Sequence, residues 1–465
     1  MKSSGVRSRL VAQEFASSED RDDLFAATPP LSATKMTISD AASRGDFGKG
    51  KHRLMVLHVK RAFLYGDIED VVYVRLPEED PKHNMGLVGR LRKAMYRTRG
   101  APHVWQKVVR KAMIELGFEL NPIFPCVYTH REKGMMVVTH VDDFLCSGSK
   151  SDLKWLHDSL SQEFELKAEM IGPGSDEVKE AKFLGRTIRL TSEGYELESD
   201  CKHAQTLIDE WGMQDSRPVT SPGCAAEKAD IKTKEDEEAL LEPKEATTYR
   251  RAAARMNYMA LDRADMAFVS KETSRGMAKP TRGDVVRLKR ALRYLVGAPR
   301  VVNKYVWQCS QHKLLTFSDS DWAGCVKTRR STSGGAIMSG KHLISHWSST
   351  QSTVALSSAE AELNALVKAI SETLGVKNMM KSAGIELEIE VKTDSNAAKG
   401  IVHRTGCGKV KHLEARQLWV QETVETKEVT VTKVSREVNY SDSLTHHWSA
   451  IDGYKHLAAL GLEWR

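Results

Sequence analysis

The stretch Gly134-Met-Met-Val-Val-Thr-His-Val-Asp-Asp-Phe-Leu-Cys-Ser-Gly148 constrains this chain more than any other. An apolar run at 135–138 leads in, a second at 144–146 leads out, and glycines bound both ends, the pattern of two paired strands. The turn between them carries Asp142 and Asp143. Adjacent carboxylates at the tip of an apolar ribbon repel each other and lose hydration, so a cation is expected there. Hard oxygen donors of this kind suit Mg²⁺, which binds through one or two carboxylates together with substrate phosphates. An ordinary turn would carry the same residues, because Asp favours turns, and the rest of the chain has to decide.

At 465 residues the chain exceeds a single core, and two or three domains are expected. With 41% hydrophobic and 28% charged residues it reads as a soluble globular chain, neither disordered nor membrane-spanning. The N-terminal residues do not form a secretory signal. Seven cysteines are scattered singly, which argues against a zinc knuckle or a disulfide framework and for a reducing compartment. The net charge is +7, with clusters at 49–53, 107–111, 282–293, 327–330 and 409–411. Such clusters are compatible with a polyanionic partner, and solvated helix faces would look much the same.

Residues 1 to about 50 read as the front edge of a domain, with a short basic strand at 7–12 and a helix at 31–42. A buried strand is expected at 54–59. An amphipathic helix with Val108, Val109, Ala112, Met113 and Leu116 on its apolar side should stop at Gly117. After the hairpin come a helix at 152–164, paired strands at 182–190 and 195–197, and a helix at 201–211.

Ala62-Phe-Leu-Tyr-Gly66, Ala101-Pro-His-Val-Trp105, His140-Val-Asp-Asp143 and Phe183-Leu-Gly-Arg-Thr-Ile188, in this order and spacing, resemble the reverse transcriptase domain of copia-type retrotransposons. The resemblance implies a palm with three catalytic carboxylates, one on the first strand and two on the hairpin, the pair falling on Asp142 and Asp143 as Mg²⁺ ligands. Phe63 matches the aromatic beneath the incoming sugar, where a flat ring excludes a 2′-hydroxyl, although a core aromatic would look the same. Arg7 and Arg9 are expected to bind substrate. One departure outweighs these matches: His58 stands where the first metal-bridging aspartate belongs, and no other acid lies at 54–59. A neutral imidazole offers one nitrogen and no charge, whereas Mg²⁺ prefers oxygen. The implied palm is therefore a polymerase by descent with its polymerisation step compromised. His140 in the family's Tyr position and Gly100 in place of Gln point the same way.

From 216 to about 248 the composition shifts to prolines, glycine and a charged run at 227–238, which reads as a solvated linker. Helical patterns follow at 249–276 and 284–297, the latter with Leu288, Leu292 and Leu295 on one face among Arg287, Lys289, Arg290 and Arg293. This resembles the copia-type connection; its basic helix could lie along a nucleic-acid backbone or simply pack on its own core.

In the last third, Leu314-Leu-Thr-Phe-Ser-Asp-Ser-Asp-Trp-Ala-Gly324 is a strand delivering acids to its end, and Ser357-Ser-Ala-Glu360 is a capping box opening a long helix. Thr393-Asp-Ser-Asn-Ala-Ala398 ends a strand at the mouth of a helix, and Asp442-Ser-Leu follows a strand at 429–434. Bringing acids to one sheet edge is a way to build a two-ion carboxylate site. These motifs, with Arg329-Arg-Ser-Thr-Ser-Gly334 and Lys411-His-Leu-Glu414, closely resemble the copia-type ribonuclease H domain. The resemblance, which runs from about Arg7 to Trp448, places the metal-binding acids at Asp319, Glu362, Asp394 and Asp442, with Glu360 as rival to Glu362 and Asp321 as a neighbour.

The expected fold is α/β (α+β): a right-hand polymerase palm with truncated fingers at 1–214, a linker and helical connection at 215–308, and a ribonuclease H-like five-stranded mixed sheet with helices at 309–450. The resemblance implies reverse transcription of a retrotransposon RNA and cleavage of RNA in RNA–DNA hybrids. It implies two Mg²⁺ ions per active site, RNA template, hybrid and deoxynucleotides as partners, no membrane, and an intracellular site in a cytoplasmic particle or the nucleus. The chain is expected to be a piece of a longer polyprotein. A decayed or domesticated nucleic-acid-binding protein without catalysis is the alternative.

Overall fold

The structure, a computed structural model, describes residues 11, 12, 14, 26–44, 52–224, 233–406 and 415–465. Arg7, Arg9 and the motif at 411–414 lie outside the described residues. The chain divides into two compact units: Met1–Pro30 with Arg53–Met170, and Leu31–His52, which contains helix α1 (Leu31–Ser43), with Ile171–Arg465. No helix among the described residues is long and apolar enough to cross a membrane.

The first unit holds β1 (His52–Val59), a ribbon of β2 (Tyr73–Arg75) and β3 (Val88–Arg90), then β4 (Glu119–Leu120), β5 (Val127–His130), β6 (Met135–His140), β7 (Asp143–Ser149) and β8 (Leu166–Ile171). All but the ribbon form one sheet in the order β4-β5-β6-β7-β1-β8. The β6–β7 hairpin pairs His140 with Asp143, which leaves Val141 and Asp142 as a two-residue turn. Val141 sits at φ 52°, a conformation that its branched side chain disfavours. Trp105, buried on α2 (Ala101–Glu115), donates its indole N–H to the Val141 carbonyl at 2.5 Å. The Ala-Pro-x-x-Trp motif thus anchors the acidic turn. Helix α3 (Lys150–Leu160) begins two residues before the expected 152, because the Ser149 hydroxyl accepts the Asp152 N–H and caps it.

In the second unit the stretch expected as one strand at 182–190 is itself a hairpin, β9 (Glu180–Phe183) and β10 (Arg186–Leu190). Leu184 and Gly185 have φ of 48° and 75°, the left-handed pair that a tight two-residue turn requires. β10 pairs β11 (Gly194–Glu198), α4 (Lys202–Glu210) follows, and the charged stretch contains a short helix, α5 (Lys234–Glu238). The expected helix at 249–276 is two helices, α6 (Pro243–Ala260) and α7 (Ala264–Arg275), ahead of α8 (Arg282–Gly297) and β12 (Val301–Val306).

The basic face of α8 is spent on its surroundings: Arg287 pairs Glu237 and Asp284, Arg290 reaches Ser221, and Arg293 donates to the Arg217 carbonyl. The linker is therefore fastened to the helix at Arg217, Ser221 and Glu237. Leu288, Leu292 and Leu295 on the opposite face are buried in the core of this unit.

The ribonuclease H-like part comprises β13 (Lys313–Asp321), β14 (Thr332–Ser339), β15 (His342–Thr350), α9 (Ser358–Ser382), β16 (Glu388–Thr393), α10 (Asn396–Val402), α11 (Ala415–Glu425) and β17 (Thr430–Lys433). Its sheet runs β15-β14-β13-β16-β17, antiparallel through the first three strands and parallel through the last. Beyond it, α12 (Ala450–Ala459) and β18 (Leu462–Trp464) return the chain to a separate sheet, β18-β12-β11-β10-β9. Helix α1 also belongs to this unit, with Ser39 Oγ 2.8 Å from His342 Nδ1.

The break between α6 and α7 places Arg263 in the interior, where its guanidinium grips Asp265 at 2.6 and 3.0 Å. Tyr294 on α8 donates to Asp265 on α7 at 2.8 Å and Trp464 donates to the Tyr294 hydroxyl at 2.8 Å, so β18 is tied to α8 and, through it, to α7. Asp265→Ala leaves a buried cation without its counter-charge, bonded only to the Ala298 and Pro299 carbonyls, and a buried hydroxyl without its acceptor. The expected cost is about 3–5 kcal/mol, read as a lowered urea midpoint; an unchanged midpoint would refute this account.

Candidate active site

β13 and β16 are parallel and in register from Lys313↔Glu388 to Phe317↔Lys392, so their C-terminal ends lie side by side. Asp319 emerges from the first and Asp394 directly follows the second. Helix α9 supplies the third acid. Its capping residue Ser357 accepts the Glu360 N–H at 3.2 Å, and Glu360 turns back to accept the Leu356 N–H at 2.9 Å. Glu362, two residues on and so on the other side of the helix, points at β13 and accepts the Ser320 N–H at 3.2 Å. Oxygens of Asp319, Glu362 and Asp394 lie within 4.8 Å of one another. Geometry therefore separates two glutamates that helical periodicity left unresolved.

Asp442, on a short 3₁₀ turn, lines the same cleft of about 360 Å³. Its carboxylate is shared between Arg436 at 3.3 Å and His446 at 3.4 Å. Asp321 is turned away, accepting from the backbone N–H and the hydroxyl of Thr332 and so tying β13 to β14. Arg436, His446 and Thr445, whose hydroxyl donates to Asp319, escaped the reading of the sequence. Thr445 and His446 did have a signal there, standing directly after Asp442-Ser-Leu.

Burial dominates the electrostatics. Asp319 is 6% exposed and Glu362 9%. Desolvation, then the neighbouring carboxylates, pushes the pKa of Glu362 well above the carboxylate range. Asp319 is raised chiefly by desolvation and further by Asp442 and Asp394, against the bond from Thr445. Asp394 is raised by the same causes, desolvation first. Glu362 Oε2 is buried and has no hydrogen-bond partner among the described residues. An orphaned buried oxygen facing two more carboxylates is a misfit for an empty interior. It fits a hard divalent cation, for which the donor set is all oxygen.

The hairpin site is different. Asp142 and Asp143 face β1, whose Val59 N–H donates to the Asp142 carbonyl at 2.8 Å. His58 Nδ1 lies 2.9 Å from Asp143 Oδ1 and 3.7 Å from Asp142 Oδ2. One nitrogen and two carboxylates, with one acid already bonded to the imidazole, fit a Mg²⁺ pair poorly. Phe63 is buried, its ring edge-on to Tyr96 with centroids 4.8 Å apart.

The raised carboxylates fix a sign. A group whose folded pKa is above its unfolded value, about 4 for a carboxylate, contributes stability at acid pH that is lost as pH rises through neutrality. Burial lowers His342, His346 and His447 to about 4, 3 and 4, so their own contribution is already complete above the ordinary histidine pKa of about 6.5. In chelator-treated protein these carboxylates should therefore lower the melting temperature from pH 7 upward, against the opposite effect of Lys35, whose pKa burial lowers to about 8. Added Mg²⁺ should raise it, more at pH 9 than at pH 7, and release protons on binding. A pH-independent Mg²⁺ effect would contradict this.

Residues 1–225 match the family model described as "Reverse transcriptase (RNA-dependent DNA polymerase)". The retrovirus-related Pol polyprotein from transposon RE1 of Arabidopsis thaliana is 27% identical over 94% of this chain and 29% of that protein. The chain thus spans less than a third of that relative's length. An uncharacterized mitochondrial protein of the same plant is 31% identical over 51% of this chain and 92% of its own length. A foamy viral protease-reverse transcriptase in complex with RNA/DNA hybrid is 10% identical, covering 86% of this chain and 46% of that one. Its TM-score is 0.47, a likeness too slight to carry weight. By the family match residues 1–225 belong to the reverse transcriptase family, and 94% of the chain is similar to a retrotransposon Pol polyprotein.

Proposed function

We propose that this chain cleaves the RNA strand of RNA–DNA hybrids at the cleft of Asp319, Glu362 and Asp394, and that RNA-directed DNA synthesis is compromised by His58. The observation carrying the reading is the buried, partnerless Glu362 Oε2 beside two other acids. Two Mg²⁺ ions held there would lower the pKa of the attacking water and stabilise the leaving 3′ oxygen.

Each residue then has a separable task. Asp319, Glu362 and Asp394 form the ligand set, and Asp442 completes the acidic floor. Thr445 fixes the orientation of Asp319, and the Ser320 N–H that of Glu362. Arg436, largely exposed, puts a cation at the mouth beside the His446 imidazole, suited to a phosphate backbone read without regard to sequence. In the first unit, RNA template, primer and deoxynucleotide are the implied ligands of the hairpin face, with His58 in contact with Asp143 where a third carboxylate would complete the set.

A paired assay on one preparation with Mg²⁺ tests both halves. It follows degradation of a labelled hybrid and extension of a primer on an RNA template. Cleavage without extension is expected. Asp319→Asn and Glu362→Gln should each reduce cleavage about 100-fold or more, at or beyond the upper range for residues that merely orient a metal ligand, whereas Glu360→Gln should keep it. His58→Asp should add primer extension. No cleavage by the wild-type chain would leave a nucleic-acid binder without catalysis, and wild-type extension would overturn the role given to His58.

A further inference from the structure

Gln351 lies just past the end of β15, is 8% exposed, and aims its carboxamide into the seam between β13, β14 and α9. Its amide nitrogen donates to the Ala361 carbonyl at 2.8 Å, to Ser333 Oγ at 3.0 Å and to Ser320 Oγ at 3.2 Å. A carboxamide has two hydrogens for these three acceptors, so one is shared. Its oxygen accepts from Asn364 Nδ2 at 3.4 Å, and Asn364 accepts in turn from Gln417 at 2.7 Å. The backbone N–H of Gln351 bonds the Ser331 carbonyl at 2.8 Å, which fixes its own position.

Two of these contacts fall at telling places. Ser320 is the residue after Asp319, and Ala361 is the residue before Glu362. The same Ser320 supplies the N–H that holds Glu362 Oε1. One neutral side chain therefore bridges the hydroxyl of the residue beside one acid and the backbone carbonyl of the residue beside the other. The two acids repel each other, and the Gln351 bridge joins β13 to the first turn of α9 alongside the Ser320–Glu362 bond.

We infer that Gln351 is a positioning residue that sets the spacing of Asp319 and Glu362 for the divalent ion. The inference rests on the proposed function for its ion, and it assigns Gln351 no contact with substrate. Because the amide is uncharged, it holds the spacing without altering the charge of the cluster. Substituting it separates position from charge. Gln351→Glu is nearly isosteric but loses the donors and adds a negative charge, which by Coulomb attraction alone would tighten cation binding. Loss of the bridge predicts the opposite.

The test is Mn²⁺ binding to the full chain, followed by electron paramagnetic resonance, with the part abolished by Asp319→Asn assigned to this site. Gln351→Glu and the neutral Gln351→Met should each bind this Mn²⁺ about tenfold more weakly, while hybrid cleavage loses kcat with KM little changed. Ser320→Ala, which removes only the β13 end of the bridge, should show a smaller loss and serves if both Gln351 variants unfold. A lowered melting temperature with unchanged Mn²⁺ affinity would reduce Gln351 to a packing role and overturn the inference, as would tighter binding by Gln351→Glu. Wild-type Mn²⁺ binding without cleavage would sink the proposed function alone and leave the bridge decided by affinity. No Mn²⁺ at these carboxylates would overturn both.

Discussion

Three carboxylates within 4.8 Å of one another, two of them almost wholly removed from water, are held together against their own repulsion. Charge in a low dielectric either neutralises, finds a counter-ion, or drives its carriers apart. The surrounding fold denies the last course. Parallel β13 and β16 fix two of the acids by register, a capped helix fixes the third, and hydrogen bonds from Ser320 and Thr445 fix the carboxylates themselves. Protonation or a cation must then supply the balance, and that choice ties metal, proton and stability together in one place.

The hairpin site reaches its balance by another route. There the strands and the acidic turn are in place, the buried Trp105 secures the turn, and β1 lies alongside. A single side chain changes the chemistry. An imidazole at 58 occupies Asp143 with a hydrogen bond and contributes no negative charge, so the attraction for a pair of hard cations is weaker than three carboxylates would give. The scaffold tolerates the exchange because His58 is an exposed position of β1 and takes no part in the core.

Much of this was legible in the sequence where a local signal matched a local structure. The acidic hairpin, the capped helix α9 and the acids at strand ends all announced themselves through alternation, capping and turn residues. Other features were hidden for definite reasons. A Leu-Gly turn inside an otherwise strand-like run gave no polar signal, so the β9–β10 hairpin read as one strand. The arginines of α8 looked like a free basic face, because nothing local says that Arg287 has Glu237 and Arg293 the Arg217 carbonyl for partners. The strand β18 is too short to stand out, and its partner β12 lies far back in the chain.

Residue type and spacing pointed to the chemistry this chain could host, oxygen donors delivered by strands and a helix, and the resemblance alone implied that the nitrogen of His58 stands where one more donor belongs. Those are properties of side chains and of short-range backbone preference, which sequence carries directly. The tertiary structure decided which of two glutamates faces the acids, that Asp321 is spent on Thr332, that Asp442 is shared between Arg436 and His446, and that Gln351 bridges the cluster. Each of these depends on contacts between elements far apart in the chain. Hydrogen bonds act only over a few ångströms, so only the packed fold can assign their partners.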